Sequence, residues 1–424
     1  MGKPLPTFCT RPVTAERPGS RPNLPPDVGL PGTPGLISVH PLDPTLLFFG
    51  STNLFRSQDG GSTWQNVMTA ASGLSLHVDQ HALVFTADGK TIYEGNDGGI
   101  WTAANPYGSQ IGWTDLNTGL GTAEIYSVAI DPQNTSRAVA GTQDNSTLWF
   151  TGSPGWTQAG VCGDGFATAV DPSSLSTVYA ACGETLFKSI NGGVPGSWVQ
   201  IGAGLPGFAL TLDDSTPNVL YAGNPGGDSA LYQSLDGGGT WRQVFAGSGS
   251  QFIDQVAVSP SNSNIVYLLI GDYQTYPYAF QLWATNDALS GSIPTWQNLP
   301  VSNLLPVANA ASLAVDPANP EAVAVFTEQA ARTICGSGCG VENSILTSAD
   351  GGATGQTIPA GGGLNATALY WSNILFNDCV LCSNKLQILI DPDILNTWYL
   401  AAGLAVYRSS DAGRTWYPLA AGVP

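Results

Sequence analysis

Charge is scarce in this chain. Asp, Glu, Lys and Arg make up only 10% of its 424 residues, and thirteen basic residues stand against thirty-one acidic ones, a formal net charge of -18. A surface of that sign makes nucleic acid and anionic membrane poor partners. Histidine occurs three times and methionine twice, so each histidine carries weight in any search for a site. No apolar run is long enough to span a bilayer, and membrane insertion is not expected. No stretch offers a helical period of useful length, which leaves strands.

Turn formers are plentiful: 52 glycines and 30 prolines, together with 12 tryptophans, describe a β-rich protein with polar, mostly uncharged loops. Residues 1–34 lack the apolar core of a signal peptide and place Lys3, Arg11, Arg17 and Arg21 among prolines. They read as a flexible, proline-rich leader or the remnant of a longer upstream segment. Seven cysteines need a role. Cys162 and Cys182 bracket one repeat, Cys335/Cys339 and Cys379/Cys382 form close pairs, and Cys9 is left in the leader. The late four could be zinc knuckles. In so acidic and lysine-poor a chain, disulfides are the preferred reading, and with them an oxidising, extracellular or periplasmic location.

The chain is organised around a repeated stretch. Leu54 to Trp64 (LFRSQDGGSTW) carries the pattern Ser-x-Asp-x-Gly-x-Thr-Trp, and Leu231 to Trp241 and Val406 to Trp416 repeat it. Degraded copies lie at Leu186 to Trp198, Leu282 to Trp296 and Ile345 to Thr357. Each reads as strand, tight turn, strand: Asp bonds amides in the turn, Gly supplies positive φ and Trp packs between strands.

This pattern resembles the Asp-box, or BNR repeat, of sialidases, xyloglucanase-type glycoside hydrolases and the sortilin luminal propeller. In those families the box lies on the side of the propeller opposite the active site, so the resemblance implies a structural staple. A sialidase is not expected: the chain lacks the Arg-Ile-Pro motif and an arginine triad, and of its nine arginines only Arg137 and Arg332 lie neither in the leader nor within or beside a box. Xyloglucanase-type enzymes work in a cleft between two propellers, of which one ring would supply half.

A period of roughly 40 to 55 residues makes residues 35–424 one repeat array. Units begin near Gly35, Leu76, Thr122, Val161, Pro206, Phe252, Ala308 and Asn384. Each is four short strands, the first an apolar run such as Tyr126 to Pro132 or Phe166 to Pro172. The fold expected is all-β, a single β-propeller of four-stranded blades, eight in number, or seven if the sixth or seventh unit is mostly insertion. The lead-ins to strand one and the turns between strands two and three share one mouth, where function is sought; the boxes lie at the other.

The second unit opens with Leu76-His-Val-Asp-Gln-His-Ala-Leu-Val-Phe85. If extended throughout, it points His77, Asp79 and His81 one way. Registering the units places Asp164 and Glu124 level with Asp79. The turns Gly95-Asn-Asp-Gly-Gly99 and Gly141-Thr-Gln-Asp-Asn-Ser146 add Asp97, Gln143, Asp144 and Asn145. The phrases HVDQHAL, GNDGG, GTQDN and GDG, over about residues 76 to 170, look like those of bacterial BNR-repeat proteins described as glycosyl hydrolase-like; the resemblance assigns no residue roles.

Three readings stand for this cluster. Its carboxylates cap turns; or His77, Asp79 and His81 hold calcium or another divalent cation; or Asp79, Asp144 and Asp164 include a glycosidase acid/base pair, which needs about 5 to 10 Å between carboxyl groups. Aromatics on the same mouth, Tyr273, Tyr276 and Tyr278 in the sixth unit and Trp371 entering the eighth, offer a platform for sugar rings or peptides, or else fold down over their own loops. The function expected is an exported ligand-binding or scaffold module for glycan or protein, with a glycoside hydrolase working from units two to four as the alternative.

Overall fold

The computed structural model describes residues 36–70, 72–118, 120, 123–152, 155–174, 176–183, 185–205, 209–223, 229–272, 274, 277–328, 343–360, 364, 386–402 and 405–419. They form eight four-stranded antiparallel sheets, each with its strands in sequence order. The sheets span 36–66, 80–115, 125–158, 168–203, 209–246, 251–298, 310–359 and 387–418. The fold is all-β, a β-propeller of eight blades, and the sixth and seventh are both complete. The only helical piece described is a 3-10 turn, Pro300–Leu304. No described helix is long and apolar enough to cross a membrane. The chain falls into two compact units, 1–122 with two blades and 123–424 with six.

In several blades strand two is the most buried. Ala138–Thr142, Leu220–Gly223 and Val323–Glu328 are buried at every residue. A strand covered on both faces needs an unbroken run of small, branched and aromatic side chains, and those segments supply one. Several fourth strands are two residues long and exposed, as at Gln65–Asn66. In the first unit, Leu46, Phe48, Leu54, Ile92, Trp101 and Trp113 join both blades in one core. In the second, clusters such as Tyr221, Leu231, Ile253, Val256 and Leu268 fill the space between successive blades.

The repeated turn closes strand three onto strand four. Ser57 Oγ donates to Asp59 Oδ1 (2.8 Å) and accepts from Gly61 N (2.9 Å), while Thr63 gives its amide and hydroxyl to the two Asp59 oxygens (2.8 and 2.6 Å). The same bonds recur at Ser234/Asp236/Thr240, Ser348/Asp350/Thr354 and Ser409/Asp411/Thr415. The donors hold Asp59 and Asp236 down to about 2. Gly238, at φ +93, has its missing Cβ facing Ile201 Cδ1 at 2.5 Å, so any side chain there would be strained in its backbone and crowd Ile201. The glycine after the Asp also ties this turn to the turn between strands one and two: Gly60 N donates to Thr45 O (2.9 Å), Gly237 N to Asn218 O (2.8 Å) and Gly351 N to Glu321 O (2.8 Å).

The tryptophans do more than pack within their own sheet. Trp113, Trp241 and Trp296 donate from Nε1 to carbonyls of Val67, Ile201 and Val244, on or just after the last strand of the preceding blade (2.8, 3.2 and 2.8 Å). In the opposite direction, the residue before the turn's Ser reaches the next blade. Arg56 Nη1 donates to Pro106 O and Gly108 O (2.8 and 2.5 Å), Lys188 Nζ to Gly237 O (3.0 Å) and Gln233 Nε2 to Ala288 O (3.1 Å).

Candidate functional site

The end of each blade opposite the repeated turns carries the lead-in to strand one and the turn between strands two and three. In the first unit the extended run expected from His77 does not form. Strand one of the second blade is Gln80–Phe85, and Asp79 before it has φ +63, in the left-handed region. A bulge follows, with Gln80 opposite Asn96 and Ala82 opposite Gly95. Alternation through 77, 79 and 81 is therefore broken twice. Among the described residues, no group of three His, Cys, Asp or Glu side chains converges to hold a metal ion.

What forms instead is a pair. His81 Nε2 lies 2.5 Å from Asp97 Oδ1 at the tip of the turn, with the His81 side chain 63% exposed. His77 packs on Gly98 of the same turn, where a Cβ would sit 2.5 Å from its own, and its Nδ1 meets Val78 O at 3.2 Å. The turn is held from below: Gly98 N donates to Asn96 Oδ1 (3.0 Å) and Asn117 Nδ2 to Gly98 O (3.0 Å).

In the second unit the residues expected to gather do so. Asp144 N donates to Asp164 Oδ1 (2.8 Å), joining the turn of the third blade to the lead-in of the fourth. Gln143 N donates to Glu124 O (2.9 Å), and Asn145 N to Gln143 O (2.6 Å). Three non-glycine residues here adopt left-handed backbone: Asp144 (φ 56), Ser146 (φ 71) and Cys162 (φ 74). Such conformations persist only where surrounding bonds enforce them. Ser146 N donates to Gly163 O (2.8 Å) and its Oγ to Val161 O (2.6 Å), Gly165 N donates to Thr142 O (2.9 Å), and a disulfide joins Cys162 to Cys182. At Gly141 a Cβ would lie 2.2 Å from Phe166 O, so the two loops close only because that residue is glycine.

Beside these loops, the half-buried rings of Tyr126 and Phe166 stack, centroids 5.5 Å apart and planes 14° from parallel. The Tyr126 hydroxyl is pushed up, first by burial and then by the charges of Glu124, Asp164 and Asp144, which places all three carboxyl groups within electrostatic reach. Tyr126 and Phe166 are absent from the sequence-based candidates. Their signal was present, since both open strand one of their units and a register of neighbouring units sets them side by side.

Elsewhere the expectations fare differently. Tyr278 is no open platform: it meets Phe252 and Phe280 edge to face (5.5 and 6.4 Å) and lies half-buried against the core of the sixth and seventh blades. An aromatic ring beside a core gains more by covering it than by facing water. Tyr273, Tyr276, Trp371, Cys9, Cys335, Cys339, Cys379 and Cys382 lie outside the described residues. Arg137 pairs with buried Asp131 (4.0 Å) at the far end of the third blade.

No protein-family model matches this chain, and no curated protein matches it. Solved structures do. A GH74 xyloglucanase from Xanthomonas campestris is 16% identical over 90% of this chain and 53% of its own, with a TM-score of 0.38. Hydrazine synthase of Kuenenia stuttgartiensis is 12% identical, covering 81% of this chain and 95% of that one, with a TM-score of 0.42. YCF48 bound to D1 peptide is 14% identical, covering 88% and 93%, with a TM-score of 0.40. The chain spans about half the length of the xyloglucanase.

Proposed function

We propose that this protein is an exported Asp-box propeller that binds a glycan at the loops of its third and fourth blades. The observation that carries the reading is the bond from Asp144 N to Asp164 Oδ1 beside the stacked Tyr126 and Phe166. A carboxylate occupied with a backbone amide is a positioned acceptor, suited to fixing loops and sugar hydroxyls. Aromatic faces next to such acceptors suit the apolar face of a sugar ring. The backbone around them is held by hydrogen bonds and a disulfide, so little ordering cost remains on binding. The Cys162–Cys182 bridge supports an oxidising compartment. The negative cluster favours neutral sugars over acidic ones.

A glycan array read with the wild type and with Tyr126→Ala tests this. Binding of one class of neutral glycan, weakened at least about tenfold by the substitution, is the expected result. A blank array sinks the reading. Release of reducing ends from a bound glycan would replace it with the hydrolase reading.

A further inference from the structure

Among the described residues, two buried oxygens of the first unit, Glu94 Oε1 and Gln80 Oε1, have no hydrogen-bond donor. The residues that carry them are 1% and 2% exposed. The bulge at His81 brings them onto one face: Gln80 stands opposite Asn96, Leu83 opposite Glu94, and all four are buried. Gln80 is thus the diagonal cross-strand neighbour of Glu94, a separation that two long side chains can bridge. Their remaining atoms are engaged. Asn96 Nδ2 donates to Glu94 Oε2 (2.8 Å), and Gln80 Nε2 donates to His77 O (2.7 Å) and Thr52 O (3.4 Å).

The setting is apolar. Leu83 and Trp101 stand opposite Glu94 on the flanking strands, and the first blade contributes Leu36, Phe48 and Leu54 to the same core. His81, on the adjoining strand, is turned out to solvent and paired with Asp97. Among the described residues, burial and the Asn96 bond are the influences on Glu94. Two bare acceptors in such a place repel and go unsolvated, and one proton between them removes both faults.

We propose that Glu94 is a protonated carboxylic acid in the folded protein at neutral pH, donating to Gln80, and that this proton holds two surface segments in place. One is 77–80, anchored through Gln80 Nε2 to His77 O; the other is 95–99, on whose Gly98 the His77 side chain packs. When Glu94 releases its proton to solvent, the anion needs a donor. Gln80 supplies it by turning its amide, which gives up the bonds to His77 and Thr52. The lead-in that carries His77 then loosens, and with it the turn that presents Asp97 to His81. Burial pushes the Glu94 carboxyl up to about 8, so the change falls in the mildly alkaline range. The device is independent of the glycan reading, which concerns other blades.

Carbon-13 NMR of glutamate side-chain carboxyls in the full chain, titrated from about pH 4 to about pH 10, reads the proton itself. One glutamate with a midpoint near 8, missing in Glu94→Gln, is expected; a wild type in which every glutamate titrates near 4 overturns the proposal whether or not the variant folds. Hydrogen exchange reads the coupling. Protection of 76–80 and 95–99, corrected for the chemical rate, should fall at least about tenfold across the same midpoint. Protection that is unchanged in the wild type, or that falls equally in Glu94→Gln, refutes the switch.

Discussion

The amide of Asp144 donates to the carboxylate of Asp164 across the gap between the third and fourth blades, 2.8 Å from nitrogen to oxygen. Replacing Asp164 with Ala removes the acceptor, and replacing it with Asn leaves an oxygen in the same place. Asp164→Ala is expected to lose about 1 kcal/mol of stability and Asp164→Asn much less. Urea unfolding of both variants checks this; equal losses would show that charge, and not the acceptor, matters there.

Arg56 is 2% exposed and spends its guanidinium on Pro106 O, Gly108 O and Gln65 Oε1. Arg56→Ala strands those acceptors and opens a gap between the first two blades. A loss of about 3 kcal/mol follows. It should appear as a lower urea midpoint with an unchanged slope.

Glu94 sets a pH dependence whose sign runs against the usual carboxylate. Its folded pKa of about 8 lies above its ordinary value of 4.5, so the folded state holds an extra proton between the two. The stability it contributes is complete below the lower value and disappears as pH rises through the upper one. Thermal melts should therefore fall in temperature as pH rises from about 5 to about 8, and Glu94→Gln should flatten that slope. A slope identical in the two proteins would assign the effect to other groups.

Asp59 and Asp236 behave in the opposite way. Both are held near 2, below the ordinary 3.8, by their threonine and serine donors. Their contribution is present above the ordinary value and lost as pH falls towards 2. Acid unfolding followed by far-ultraviolet circular dichroism should begin below about pH 4, and Asp236→Asn should make it less steep.

The Cys162–Cys182 bridge closes a loop of 20 residues that contains Asp164. Reduction, or the double serine variant, is expected to cost about 3 kcal/mol. The melting temperature should drop in dithiothreitol for the wild type and stay unchanged for the variant.

Much of the architecture was legible because it repeats. Strand-one starts read near Thr122, Pro206 and Ala308 fall at Ile125, Ala209 and Ala310, since glycine, proline and asparagine mark each boundary. Asp144 and Asp164 were legible as neighbours for the same reason. The His77–Asp79–His81 alignment failed because a bulge depends on how a strand pairs, and nothing in HVDQHAL announces the left-handed Asp79. Glu94 escaped notice inside Thr91–Asn96, where alternation alone does not say that both neighbouring strands will seal it from water. Tyr126 and Phe166 were readable in principle, as two aromatics at one position of adjacent units.

The short bonds from Gly60, Gly237 and Gly351 to carbonyls of the neighbouring turn bear on chemical ageing. Among aspartyl steps, aspartate followed by glycine is the most prone to cyclise to a succinimide and reopen as isoaspartate, because no side chain shields the glycine nitrogen from the carboxyl carbon. In these turns that nitrogen is committed to another acceptor and the carboxylate to threonine and serine. These three Asp-Gly steps are thus guarded against that reaction while the chain stays folded, and isoaspartate at them would mark the molecules that had come unfolded.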